Sequence, residues 1–266
     1  MIAVNREKVH FNYYPDGTSA VRFNFKGETA SILWNYENDA ETMILFYITQ
    51  HLRRSGAKTI ELYMPYIPNA RMDRVKSGED VFTMKYFATF INSLNFDRVV
   101  VRDPHSSVSE ALIDRIQVEP VEKYLNFALR SVKNDSLIMF YPDEGSMKRY
   151  SGMCVMPYAF GTKQRDWKTG KIVSLEVNNC GIDINGRDIL IVDDICSRGG
   201  TFLRSAEKLK QLGANHIYLY VTHCENTILE GELLTSGLID RVFTTESIFT
   251  KEHEKICVIR KEDLDV

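Results

Sequence analysis

The stretch ILIVDDICSRGGTF, residues 189–202, constrains the fold more than any other part of the chain. Four apolar residues, three of them β-branched, run without interruption into two adjacent carboxylates. A glycine pair follows, and then a helical pattern. An unbroken apolar run of this kind is a strand covered on both faces, the situation of a parallel sheet with helices packed against it. The chain must therefore supply further strands of the same type, with a crossover helix between each pair.

It does. DAETMILFYITQHLRRSG reads as a helix entered at an Asp39 cap and ended at Gly56, and KTIELYMPYI reads as a strand closed by prolines. FTMKYFATFINSLNF is an amphipathic helix, and DRVVVRDPH is a strand with a polar end. After a seam near QVEPVEKY the alternation resumes with the helix VEKYLNFALRSV and the strand SLIMFYPDEGS. DILIVDD, the helix TFLRSAEKLKQLG and the strand NHIYLYVTH complete it, whereas the first forty residues read as short strands and turns. The expected fold is α/β, with two similar domains at 1–120 and 121–266, mainly parallel sheets and flanking helices.

Composition removes several function classes. With 33 Lys and Arg against 36 Asp and Glu, the formal charge of -3 gives no global basic field for nucleic acid. Five scattered cysteines without a C-x-x-C pair suit reduced thiols, not a disulfide scaffold or zinc site. MIAVNREKVH has no apolar signal core, and no window nears eighteen apolar residues. A soluble, cytoplasmic protein without a membrane anchor is expected.

Ligands of parallel α/β sheets bind beyond the carboxyl ends of the strands. Four polar clusters fall there: ARMDR, DPHSS, YPDEGS and DDICSRGGT. In the last of these, a glycine loop opening into a helix offers unpaired backbone N–H groups and the positive end of the helix dipole, which suits phosphate. Gly199 and Gly200 let the backbone approach closely, Thr201 adds a hydroxyl and Arg198 a cation. Asp193 and Asp194 can accept hydrogen bonds from vicinal hydroxyls or hold Mg²⁺ through water. Neither the Walker A spacing nor G-x-G-x-x-G is present. The implied ligand is a sugar phosphate.

ILIVDDICSRGGT resembles the ribose-5-phosphate loop shared by type I phosphoribosyltransferases and ribose-phosphate diphosphokinases. The remaining motifs resemble the diphosphokinases, the phosphoribosyl diphosphate (PRPP) synthetases. PYIPNARMDR, residues 65–74, is similar to their P-Y-x-x-x-A-R-Q-D-R signature. The resemblance implies ATP binding by Arg71 and Arg74, oriented by Asp73. VVVRDPHSS is similar to their strand ending D-x-H, which implies that His105 orients or ligates the magnesium of ATP. FYPDEGS is similar to S-P-D-x-G-G and implies a metal role for Asp143. FGTKQRD resembles the flexible-loop K-x-R, which implies that Lys163 and Arg165 neutralise charge on the transferred diphosphoryl group. YYPDGT, residues 13–18, is similar to the F-[SP]-D-G-E loop that stacks an aromatic on a neighbouring subunit's adenine; Tyr14 and Asp16 take those positions. VFTTESI is similar to the family's T-N-T-I strand.

The resemblance implies two tandem type I phosphoribosyltransferase-like domains, the first binding ATP and the second the ribose phosphate through Asp193, Asp194, Ser197, Arg198, Gly199, Gly200 and Thr201. It implies Mg²⁺-dependent transfer of diphosphate from ATP to the C1 hydroxyl of a ribose 5-phosphate-type acceptor, with AMP released. That chemistry serves nucleotide biosynthesis or NAD metabolism. Partners would be ATP and a ribose 5-phosphate or ribose 5-diphosphate ester, with no nucleic acid and no membrane. A homo-oligomer, dimer or hexamer, is expected, although the family's opening strand and helix and its C-terminal tail have no counterpart in the sequence.

Four substitutions bear on specificity. Met72 and Thr18 stand where the family has glutamine and glutamate. In the sugar-phosphate loop Ser197 replaces the third acid and Arg198 follows it, a shift of two charge units. Unit charges about 4 Å apart at an effective dielectric near 20 interact by roughly 4 kcal/mol before desolvation. Such a loop suits a more anionic acceptor, such as ADP-ribose. Alternatives of other kinds are a phosphoribosyltransferase, which leaves ARMDR and DPH unexplained, and a non-catalytic regulatory subunit, which the retained cations and paired acids argue against.

Overall fold

The computed structural model describes residues 1–132, 134–165 and 172–264, with residues 163–165 and 172–175 described by their backbone alone. The chain divides into two compact units, Met1–Pro120 and Val121–Val266.

The first unit is built on a sheet of six strands in the order β2-β1-β5-β6-β7-β8. These are β1 (Ile2–Val4), β2 (Glu7–Lys8), β5 (Thr29–Trp34), β6 (Thr59–Tyr63), β7 (Arg98–Arg102) and β8 (Ile116–Glu119). β5 to β8 are mutually parallel, while β1 lies antiparallel to both β5 and β2. A separate antiparallel hairpin pairs β3 (His10–Tyr13) with β4 (Ser19–Arg22). Helices α1 (Ala40–Arg54), α2 (Thr83–Ser93) and α3 (Ser107–Leu112) occupy the three crossovers. The pattern follows from period. β6 alternates buried Ile60 and Leu62 with half-buried neighbours, whereas α2 buries Met84, Phe87, Ala88 and Ile91 at helical spacing. Each such side chain, fully buried, contributes about 1.5–3 kcal/mol.

Two local expectations need correction. Asp39 precedes α1 but makes no capping bond with its side chain; its carboxylate accepts the Tyr36 hydroxyl at 2.7 Å instead. The helix entry is held by Glu41, which is 1% exposed and accepts from Trp34 Nε1 and the Glu37 N–H, both at 2.9 Å. An opening strand before the 13–18 loop, expected to be missing, is present as β1, which pairs with β5.

The second unit holds a seven-stranded sheet in the order β11-β10-β9-β12-β13-β14-β15. Its strands are β9 (Ile138–Tyr141), β10 (Tyr158–Arg165), β11 (Ile172–Asn178), β12 (Ile189–Cys196), β13 (Ile217–Cys224), β14 (Arg241–Thr245) and β15 (Ile256–Ile259). All are parallel except β11, which runs antiparallel to β10. Helices α4 (Glu122–Val132), α5 (Glu144–Tyr150) and α6 (Gly200–Gln211) pack on it. Every residue of β9 is buried, as are Ile189 to Val192 of β12, and these strands are neighbours in the middle of the sheet. The long apolar run is thus explained by cover on both faces. β12 does not end at its acids: pairing with β13 continues through Ile195–His223 and Cys196–Cys224. Among the described residues no helix is long and apolar enough to cross a membrane.

Candidate active site

In the first unit, polar clusters cap the carboxyl ends of β6 and β7. Beyond β6 the chain runs through Pro65 and Pro68 to Asn69, whose φ of +64° is the left-handed turn that Asn tolerates. The Met72 N–H closes this turn on the Asn69 carbonyl at 2.9 Å. Arg71 and Arg74 are exposed, whereas Asp73 between them is 5% exposed. Arg74 embraces Asp73 with Nε at 2.8 Å and Nη2 at 3.2 Å, a two-pronged arrangement that sets the guanidinium plane. That guanidinium, opposed by partial burial and aided by Ser106 and His105, holds the Asp73 carboxyl below its ordinary range. The ARMDR and DPHSS segments therefore meet at Asp73.

β7 ends at Arg102, and Asp103 turns the chain with φ +43° while staying 5% exposed. His105, half-buried, follows. At the tip of the β3–β4 hairpin, Gly17 (φ +81°) permits the turn, and Tyr14 is 55% exposed. Asp16 accepts the Thr18 N–H at 2.9 Å and the Thr18 hydroxyl at 2.7 Å, which together hold its carboxyl low. Neither Tyr14 nor Asp16 hydrogen-bonds to Asp73 or Arg74.

In the second unit the glycine loop has the geometry its sequence implies. Gly199 sits at φ +78° as the residue before α6, and the helix starts at Gly200, one residue earlier than the pattern suggests. The N-cap residue is thus a glycine, which has no side chain to offer the N–H groups of the first turn, the kind of helix start that suits a phosphate. A Cβ on Gly199 would lie 2.7 Å from Leu233 Cδ2, so glycine is required here by packing as well as by φ. Gly231 supports the loop from beneath: a Cβ there would overlap the Arg198 carbonyl. Arg198 Nη2 reaches Glu230 Oε2 at 2.8 Å, with both side chains largely exposed.

Asp193 and Asp194 are consecutive in an extended strand, so their side chains leave opposite faces. Asp193 Oδ1 accepts the Asp194 N–H at 3.0 Å. Asp194 is 6% exposed, and Arg149 Nη1 lies 3.5 Å from its Oδ2. Arg149 belongs to α5, whose N-cap is Asp143. Asp143 Oδ1 accepts the Ser146 N–H at 3.0 Å while Ser146 Oγ reaches back to the Asp143 N–H at 3.3 Å, a capping box. One helix thus links two of the three acids singled out in this unit. The backbone of Lys163 and Arg165 lies in β10 opposite β11, but their side chains fall outside the described residues, as does the DWKTGK segment after them.

Arg149, Glu230 and Gly231 were not visible as site residues in the sequence. Arg149 sits in a helix whose other cation, Lys148, is an exposed partner of Glu144, and nothing distinguishes the two by type. Among the described residues no three His, Cys, Asp or Glu converge on a point. Mg²⁺ usually retains water and phosphate oxygens and takes one or two carboxylates, so Asp143, Asp193 and Asp194 fit it; an imidazole such as His105 suits it less.

Residues 1–94 match the N-terminal domain of ribose phosphate pyrophosphokinase, and residues 175–266 match the phosphoribosyl synthetase-associated domain. The ribose-phosphate pyrophosphokinase of Thermococcus kodakarensis is 28% identical over 252 residues, 91% of this chain and 86% of that protein. That of Shewanella oneidensis is 29% identical over 242 residues, covering 88% and 76%. The crystal structure of phosphoribosylpyrophosphate synthetase from Mycobacterium smegmatis superposes with a TM-score of 0.80 at 21% identity, over 95% of this chain and 86% of that one, and shows the same fold. Two α/β units with mainly parallel sheets and flanking helices define a phosphoribosyltransferase-type fold. The chain belongs to the ribose-phosphate pyrophosphokinase family, a family of enzymes.

Proposed function

We propose that the chain makes a ribose 1-diphosphate from ATP and a ribose 5-phosphate. The C1 hydroxyl oxygen attacks the β-phosphorus of ATP, the bond from that phosphorus to the α–β bridging oxygen breaks, AMP leaves, and the hydroxyl proton passes to solvent. The observation that carries this reading is the α6 N-terminus entered through a left-handed Gly199, with Asp193 and Asp194 a few residues before it. Backbone N–H groups from residues 199–201, with Ser197 and Thr201, would take the 5-phosphate, Asp193 would take the ring hydroxyls, and Asp194, on the other face of the strand beside Arg149, would hold that strand end in place.

In the first unit, Arg71 and Arg74 would clamp the nucleotide phosphates, with Asp73 fixing the Arg74 plane. His105 would reach a phosphate oxygen. Tyr14, exposed on its hairpin, would stack on the adenine bound by another copy of the chain in a homo-oligomer. Mg²⁺, bound through the nucleotide and Asp143, would supply charge neutralisation on the diphosphate. Lys163 and Arg165 would stabilise the charge that develops during transfer.

A second acceptor is favoured by Arg198. Its pair with Glu230 is exposed, and such pairs contribute about 0–1 kcal/mol, so the guanidinium can turn to a second phosphate at little cost. A ribose 5-diphosphate ester such as ADP-ribose would supply one. The test incubates pure protein with Mg²⁺, ATP and a panel of ribose 5-phosphate esters, and identifies products by mass. AMP with a 1-diphosphate of one acceptor supports the reading. ATP left intact with every acceptor overturns it. Wild-type turnover in Lys163→Ala would remove the role given to Lys163, and binding of MgATP with no turnover in the wild type would point instead to a non-catalytic regulatory role.

A further inference from the structure

Arg102 is a fully buried arginine to which the family resemblance assigns no role, and its surroundings give it a task. It is the last residue of β7; Tyr63 is the last of β6 and Glu119 the last of β8. These three residues close a triangle across three adjacent strand ends. Arg102 Nε donates to Glu119 Oε2 at 2.8 Å, and Arg102 Nη2 donates to the Tyr63 hydroxyl at 2.6 Å. The Tyr63 hydroxyl donates in turn to the same Glu119 oxygen at 2.5 Å. Arg102 has 0% exposure and Glu119 has 17%. A guanidinium is taken out of water at considerable cost, and a partner bonded in this way is what makes such burial tolerable.

The backbone of the same residue holds a second element. The Arg102 N–H donates to the Pro65 carbonyl at 3.0 Å, and Pro65 opens the segment that carries Arg71, Asp73 and Arg74. One residue later, Asp103 leaves the sheet at φ +43°, a conformation that a non-glycine residue holds only when its surroundings impose it, and leads to His105. Arg102 is therefore where the two candidate nucleotide segments are tied to the sheet at once. Its side chain fixes the level of β6 and β8 beside it, and its main chain fixes the start of residues 65–74.

We propose that Arg102 is a positioning residue for the nucleotide. Through Tyr63, Glu119 and Pro65 it sets the relative placement of the 71–74 and 103–105 segments without touching the nucleotide itself. This rests on the reading that those segments bind ATP. Glu119 and Tyr63 serve the same end, and the arrangement acts on nucleotide affinity and not on the acceptor loop, which belongs to the other unit.

The test compares wild type, Arg102→Met, Arg102→Lys and the double variant Arg102→Met/Glu119→Met, each measured for thermal midpoint, for MgATP affinity by calorimetry, and for the KM of each substrate. The double variant removes both charges and lets an apolar pair fill the space, so it keeps the protein folded. Expected is MgATP binding weakened at least tenfold in Arg102→Met and in the double variant, with the acceptor KM within twofold of wild type. The double variant recovers the thermal midpoint without recovering MgATP affinity. Arg102→Lys, which keeps the charge but loses the two-bond fork, falls between. A double variant with wild-type midpoint and wild-type MgATP affinity overturns the inference and leaves a purely structural pair. Because binding is read directly, a wild type that binds MgATP but forms no AMP would remove the proposed reaction while the comparison still judges Arg102.

Discussion

The two units present polar clusters at the same end of the same kind of sheet, but they hold them by different means. In the first unit the rim is organised by side chains: Arg102 with Glu119 and Tyr63, and Arg74 with Asp73. In the second it is organised by main chain: Gly199 in the left-handed region at the start of α6, and Gly231 against the Arg198 carbonyl. The difference suits the ligands proposed. A nucleotide triphosphate presents charge at several positions that paired arginines can follow, whereas one terminal phosphate is met by a fixed nest of N–H groups. It also implies that the two rims fail differently, by loss of charge in one and by a Cβ in the other.

The largest effect is expected in the second unit. Gly199→Ala places a side chain in the left-handed region, which costs roughly 1–2 kcal/mol, and drives its Cβ into Leu233. Misplacing the loop by about 1 Å should lower kcat/KM for the acceptor about a hundredfold, with MgATP affinity in the first unit unchanged. Gly231→Ala should do the same by pushing on the Arg198 carbonyl, although no side chain of Gly231 meets any ligand. Steady-state kinetics with each substrate varied in turn checks both. Equal loss toward both substrates would break the comparison.

Next in size is Asp143→Ala. It removes the capping box of α5, which costs about 1 kcal/mol and should lower the thermal midpoint by a few degrees, read by calorimetry. Asp143→Asn keeps the cap and should restore the midpoint but not activity, if the carboxylate also meets the metal.

A smaller effect concerns pH. The Asp73 carboxyl is lowered in the folded state, chiefly by Arg74, so its contribution is present above the ordinary carboxylate value of about 3.9 and is lost as pH falls through the lower folded value. Asp73→Asn should therefore lower the midpoint at neutral pH and shrink its fall between pH 5 and pH 3. An unchanged acid limb would show that the pair is weaker than its geometry suggests. The smallest effect is Arg198→Ala: its exposed bond to Glu230 predicts a folding stability within about 1 kcal/mol of wild type, with any loss of affinity confined to acceptors carrying a second phosphate.

Much of the fold was legible because burial and period agree. ILIV at 189–192 is buried as its apolar run requires, and FTMKYFATFINS buries one helical face. The sequence also located the polar rim, since ARMDR, DPHSS, YPDEGS and the glycine loop all follow parallel strands. What escaped it depends on partners distant in the chain. Arg102 reads as the polar end of a strand, and its burial becomes visible only when Glu119, seventeen residues on, and Tyr63 are brought beside it. Gly231 reads as an ordinary turn glycine until the Arg198 carbonyl is seen against it. Asp39 has the right type for a helix cap, but a nearby tyrosine takes its carboxylate instead. Local chemistry names the candidates; tertiary contact decides which of them are engaged.

The central claim is diphosphoryl transfer, and it is tested most directly by following the label from ATP radiolabelled at the γ-phosphorus. With Mg²⁺ and a ribose 5-phosphate, the label should appear in the sugar 1-diphosphate, with unlabelled AMP formed in equal amount. Label released as inorganic phosphate together with ADP, or carried to the sugar as a single phosphoryl group, would contradict it.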